Sequence, residues 1–146
     1  MHTRPWHAHY DDGVPTTIDY PDVPCFHFLE TAAAKYPDAD CIIFKDRRIP
    51  YAHVNELTDR LAAGFYHQMG IRKGDRVGML LPNTPQFKLV YWALLKIGAI
   101  VVATNPAYSR SAMLYQIHDA GVSAMVTVVD GYAMPKARHG EAPSTC

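Results

Sequence analysis

The chain has no surplus of charge of either sign: 14 basic and 14 acidic residues balance over 146. Without a basic face, a nucleic-acid backbone finds no electrostatic footing. Cysteine is scarce as well. Cys25, Cys41 and Cys146 are odd in number and show no CxxC spacing, which speaks against a disulfide framework and a zinc site and fits a reducing cytosol. Long apolar runs are missing. The longest, Leu89 to Ala103, is interrupted by Lys96 and Gly98, too short for a bilayer span and better read as a helix followed by a strand. The opening "MHTRPWHAHYDDGVP" lacks the apolar centre of a signal peptide. No internal repeat or low-complexity tract is present, and neither GxGxxG nor GxSxG occurs.

What is present is ordinary for a folded domain: 49% hydrophobic and 19% charged residues. Residues 1–24, rich in Pro, Asp and His, read as an extended arm. A short helix follows in "CFHFLETAAAKYPDAD", ended by Pro37. "CIIFKDRRIPY" reads as a hairpin, with Asp46-Arg47 at the turn. Val54, Leu57, Thr58, Leu61, Ala62, Phe65 and Met69 then fall on one stripe at the helical period, with Gly70 as the cap. Arg76 to Leu81 is a buried strand between Gly74-Asp75 and Pro82-Asn83. A helix opens near Pro85, buries Phe87, Val90, Tyr91, Leu94 and Leu95, and closes at Gly98. "AIVVAT" is the next strand, Ser109 to Ala120 a further helix capped by Gly121, and "SAMVTVV" a last strand. Strand and helix alternating through such short connections mean an α/β fold of βαβ units with a mainly parallel sheet and right-handed crossovers. Residues 25–130 are expected to form this partial domain, and 131–146 an irregular tail.

Chemistry-bearing groups are present but not arranged. "GIRKGD" has two glycines and a lysine, but no hydroxyl follows and it precedes a strand, so it is a turn and not a phosphate loop. His2, His7 and His9 sit in the arm without a fixed carboxylate, and are expected to be solvated and not metal-bound. His53, His67 and His118 fall on separate helices, and the adjacent pair His118-Asp119 does not face itself on a helix. Asp11-Asp12 and Asp38-Asp40 read as solvated loop residues. Cys25 and Cys41 read as small core hydrophobes, and Phe87, Tyr91 and Trp92 as core residues more than an acyl-binding box. No catalytic, cofactor-binding or metal-ligating residue is therefore assigned.

The order of short motifs is more informative. Tyr51 precedes a helix with Glu56-Leu57 early in it. Gly70, Gly74, Asp75, Arg76 and Val77 follow, then Asn83, Phe87, Gly98-Ala99 and Asn105-Pro106. This series resembles the N-terminal segment of the adenylate-forming, AMP-binding superfamily. Pro5-Trp6, Tyr10 and Gly13-Val14-Pro15 resemble the start of bacterial long-chain fatty-acid–CoA ligases. The resemblance covers about residues 4 to 130. One departure is Ser111-Ala112, where the family has an acidic residue opening the helix, at a small cost in dipole stabilisation.

The resemblance implies that a carboxylic acid, ATP and coenzyme A become acyl-CoA, AMP and pyrophosphate by way of an acyl-adenylate, with Mg²⁺ offsetting phosphate charge. It implies a large N-terminal domain of layered sheets, of which this chain supplies the first part, and a small mobile C-terminal domain. The family's phosphate loop and catalytic lysine lie later in the chain. Pro135-Lys136 lacks the hydroxyl and glycine run of that loop and takes no such role. The polypeptide as given is thus expected to bind no cofactor and to be inactive alone, the parent being cytoplasmic with peripheral membrane contact left open. The rival readings are an aryl or medium-chain acid in place of the fatty acid, and a binding module without catalysis. A partial sheet is also expected to expose an edge and an apolar face that favour self-association.

Overall fold

The computed structural model describes residues 4–128. A 3-10 turn, Pro5–His9, opens the arm, and the first helix, α1 (Phe26–Lys35), buries only Leu29. Strands β1 (Asp40–Phe44) and β2 (Arg47–Pro50) pair antiparallel, with Ile42 opposite Ile49 and Phe44 opposite Arg47. The turn is therefore Lys45-Asp46, one residue earlier than its composition suggests. Lys45 takes a φ of 53°, a conformation that lysine does not advertise in sequence.

Helix α2 (Tyr51–His67) starts directly from β2, with Pro50 extended at its N-cap. Two of its first-turn N–H groups, Tyr51 and Ala52, donate to the carbonyls of Ala39 and Pro37. Val54, Thr58, Ala62 and Phe65 form the buried stripe that the periodicity requires. Met69, assigned to the same stripe, is 54% exposed instead. The helix ends at His67, Gly70 takes a φ of 70°, and the Ile71 N–H donates to the Phe65 carbonyl, so Ile71 enters the core in its place.

Strand β3 (Arg76–Leu80) is buried after its first residue. Helix α3 (Pro85–Lys96) follows, with Pro85 in its first turn, then β4 (Ile100–Ala103), α4 (Arg110–Asp119) and β5 (Ala124–Thr127). Both β4 and β5 run parallel to β3, in the order β4-β3-β5. Gly98 has a φ of 74°, which lets the Gly98 and Ala99 N–H groups return to the carbonyls of Leu95 and Leu94 before β4 begins.

Side chains alternate across this sheet. Val77, Met79, Leu81, Val101 and Val126 face α2 and α3, and with Phe65, Ile71, Val90, Ala93 and Leu94 they make the core. Gly78, Leu80, Val102, Thr104, Met125 and Thr127 belong to the other face, to which the crossover rule sends α4. That helix buries none of its residues. The family's acidic first-turn residue is indeed missing there, and Ser109 supplies the cap, its hydroxyl accepting from the Ala112 N–H at 3.3 Å.

Candidate functional site

The strand order reverses at β3: the chain moves to one side for β4 and to the other for β5. In open α/β sheets the crevice beyond the carboxyl ends at such a reversal is where ligands bind. Here it lies between the loop after β3, around Asn83, and the loop after β4, which begins at Thr104-Asn105. Asn105 holds the second loop in a turn by accepting from the Ala107 N–H through its side chain, at 2.9 Å.

Three polar atoms mark this end of the sheet. Thr104 Oγ1, Thr127 Oγ1 and Gln116 Oε1 are buried with no hydrogen-bond partner. Thr127 is in register with Leu80, while Thr104 follows Ala103, the partner of Met79, so the two threonines flank Leu80 on the α4 face. The Gln116 amide donates to the Ala103 carbonyl at 3.2 Å, which brings its oxygen to the same strand end. Nothing in the sequence pattern separates these residues from other strand threonines and helix glutamines.

The groups that the sequence singles out do not converge there. His7 accepts weakly from the Arg4 N–H within the arm, and His53 lies 3.6 Å from Glu56 one helical turn on. Asp40 pairs with Arg48 across the hairpin, and Asp75 accepts from the Arg72 N–H. His2, Cys146, Pro135-Lys136 and the tail lie outside the described residues. Among the described residues no three of His, Cys, Asp and Glu come together. Those residues do not by themselves fit Mg²⁺.

Lys96 was noticeable in the sequence only as an interruption of an apolar run. Its side chain is 7% exposed, and its ammonium donates to Asp59 at 2.5 Å and to Asn55 at 2.8 Å, with Glu30 at 3.9 Å. One buried cation thus ties α3 to α2 and α1. Phe87 and Tyr91 join the core as expected. Trp92 turns away and, with Cys41 and Lys88, lines a groove of about 450 Å³ between α1, β1 and α3. Burial there pushes the Cys41 thiol above its usual pKa, partly offset by the Lys88 charge.

The three-stranded parallel sheet with its helices is shared with adenylation domains. The Mycobacterium smegmatis MbtA apo structure superposes with a TM-score of 0.68 at 35% identity, over 73% of this chain and 20% of that one. The Klebsiella oxytoca NpsA N-terminal subdomain, in complex with 3-hydroxyanthranilyl-AMSN, superposes with a TM-score of 0.67 at 25% identity, over 70% of this chain and 26% of that one. These neighbours set the class: the N-terminal subdomain of adenylate-forming enzymes. Residues 29–145 match the AMP-binding enzyme family, and the chain belongs to it. The long-chain-fatty-acid–CoA ligase of Bacillus subtilis is 37% identical over 86% of this chain, and that of Escherichia coli O157:H7 is 31% identical over 84%. The chain spans 22% of the length of each of these two relatives.

Proposed function

We propose that this chain is the N-terminal scaffold of an ATP-dependent ligase that joins a long-chain fatty acid to coenzyme A, releasing AMP and pyrophosphate. The observation that carries the reading is the 37% identity to the B. subtilis long-chain-fatty-acid–CoA ligase across 126 residues. The structural contribution of the segment is rigidity. Helices α2 and α3 brace one face of the parallel sheet, and its carboxyl edge stays open for elements supplied by the rest of the protein. ATP, coenzyme A and Mg²⁺ would be held by those other elements. An aryl acid is the second reading, favoured by the likeness to NpsA in complex with 3-hydroxybenzoyl-AMSN.

The test is a fusion of this chain to the downstream part of the B. subtilis relative. ATP–pyrophosphate exchange is then measured with palmitate and with 3-hydroxybenzoate, and the isolated chain is run alongside. The expected result is exchange with palmitate about tenfold or more above that with the aryl acid, and none from the isolated chain. A fusion that folds but exchanges only with the aryl acid, or with neither, overturns the fatty-acid reading.

A further inference from the structure

The groove between α1, β1 and α3 plays no part in the carboxyl-edge crevice. Its walls are large apolar side chains left facing water: Phe28 is 54% exposed and Ile43 61%. Ala32, Trp92 and Leu29 also line it, with Tyr51 and Cys41 as its weakly polar members and the exposed Lys88 as its one charged residue. An exposed apolar concavity of this kind marks a binding surface, and its volume of about 450 Å³ falls within the usual range for small ligands. Arg48, Arg60 and Lys96 each have a carboxylate within 4.0 Å, whereas among the described residues none approaches Lys88 that closely. A cation with no carboxylate beside it, on a mostly apolar slot, complements a molecule with an apolar body and one anionic end.

From this charge complementarity we infer that the groove is an auxiliary surface site for an amphipathic carboxylate, a fatty acid anion, with its chain along Phe28, Ile43 and Trp92 and its carboxylate on Lys88. The choice of acid rests on the long-chain reading above; the site itself is separate from the crevice at the strand ends. It would hold the acid at the surface, where no covalent step occurs.

The chain has two tryptophans, Trp6 and Trp92, so a Trp6→Phe background leaves Trp92 as the reporter. This chain is titrated with dodecanoate and with dodecan-1-ol, below their aggregation ranges and without ATP, and Trp92 emission is followed. The expected result is a saturable blue shift, with the acid bound about five- to tenfold more tightly than the alcohol. Lys88→Gln, at an exposed position, brings the acid down to the affinity of the alcohol. Ala32→Phe fills the slot and abolishes both responses while the far-UV circular dichroism is unchanged. Absence of a Trp92 response to dodecanoate overturns the inference, as does equal affinity for acid and alcohol, or indifference to Lys88→Gln. A response that follows a monomer–dimer equilibrium in sedimentation also overturns it and assigns the groove to a second copy. A fusion that exchanges pyrophosphate with palmitate while Trp92 stays silent sinks the groove and spares the enzyme reading. Dodecanoate binding without exchange sinks only the latter.

Discussion

Lys96 gives a prediction in which the two halves of one interaction have unequal costs. Its ammonium is buried at 7% exposure, while the carboxylates it meets, Asp59 and Glu30, are 57% and 44% exposed. Lys96→Met keeps most of the stem's volume and releases two carboxylates that water can solvate. The loss is then that of charge-assisted hydrogen bonds discounted for solvation, about 1–2 kcal/mol. Removing both acids, Asp59→Ala with Glu30→Ala, leaves a cation buried against Asn55 alone. Breaking a buried pair in that sense costs about 3–5 kcal/mol. With a urea slope of about 2 kcal/mol per molar, the midpoints should fall by about 0.5–1 M and 1.5–2.5 M respectively. Equilibrium urea unfolding followed by far-UV circular dichroism reads both, and equal slopes confirm that the folded and unfolded ensembles are comparable. If Lys96→Met costs as much as the double alanine variant, burial of the cation is not what makes this contact expensive to break, and the reasoning fails.

Four further outcomes follow from local geometry. Thr127→Val and Thr104→Val remove hydroxyls that have no partner, so each should leave thermal stability unchanged or raise it by up to about 1 kcal/mol, and a clear loss would show that those oxygens are bonded. Gly98→Ala places a Cβ 2.9 Å from the Lys73 side chain at a φ of 74°, and should cost about 1–2 kcal/mol in the same urea assay. Cys41 should alkylate with iodoacetamide more slowly than the exposed Cys25 at mildly alkaline pH, because burial raises its pKa and keeps the thiol protonated. The raised folded pKa also fixes the sign of the pH effect. The native state holds a proton that the unfolded chain releases, so stability falls as pH climbs past the ordinary thiol range, and Cys41→Ser should flatten that fall.

The segment from β3 to β4 was legible in sequence because each boundary carries its own chemistry: Gly74-Asp75 before β3, Pro85 inside the first turn of α3, and Gly98 at its end. The hairpin turn was displaced by one residue because Lys45 occupies a left-handed conformation without the glycine or asparagine that would announce it. Met69 fitted the helical period yet lost its place to Ile71, since a stripe shows which residues share a face and not where the helix stops. The groove and the three unpartnered oxygens were invisible for a different reason. Each depends on elements far apart in the chain meeting, as when Ala32, Ile43 and Trp92 line one slot, and no local pattern encodes that meeting. The ordered series of motifs placed the chain in its family although each motif alone is short and common.

The strand order β4-β3-β5 also sets a timetable for the nascent chain. Residues 51–103 contain α2, β3, α3 and β4, enough to close the core on one side as soon as they leave the ribosome. The second edge of β3 must wait for Ala124–Thr127. At about 5–20 residues per second, that interval lasts roughly one to five seconds. During it, the backbone donors and acceptors along β3, the most buried of the described strands, stand open to any passing chain. The weakly packed α4, made within that same interval, is what sweeps across Gly78 and Leu80 to deliver the strand that ends the exposure.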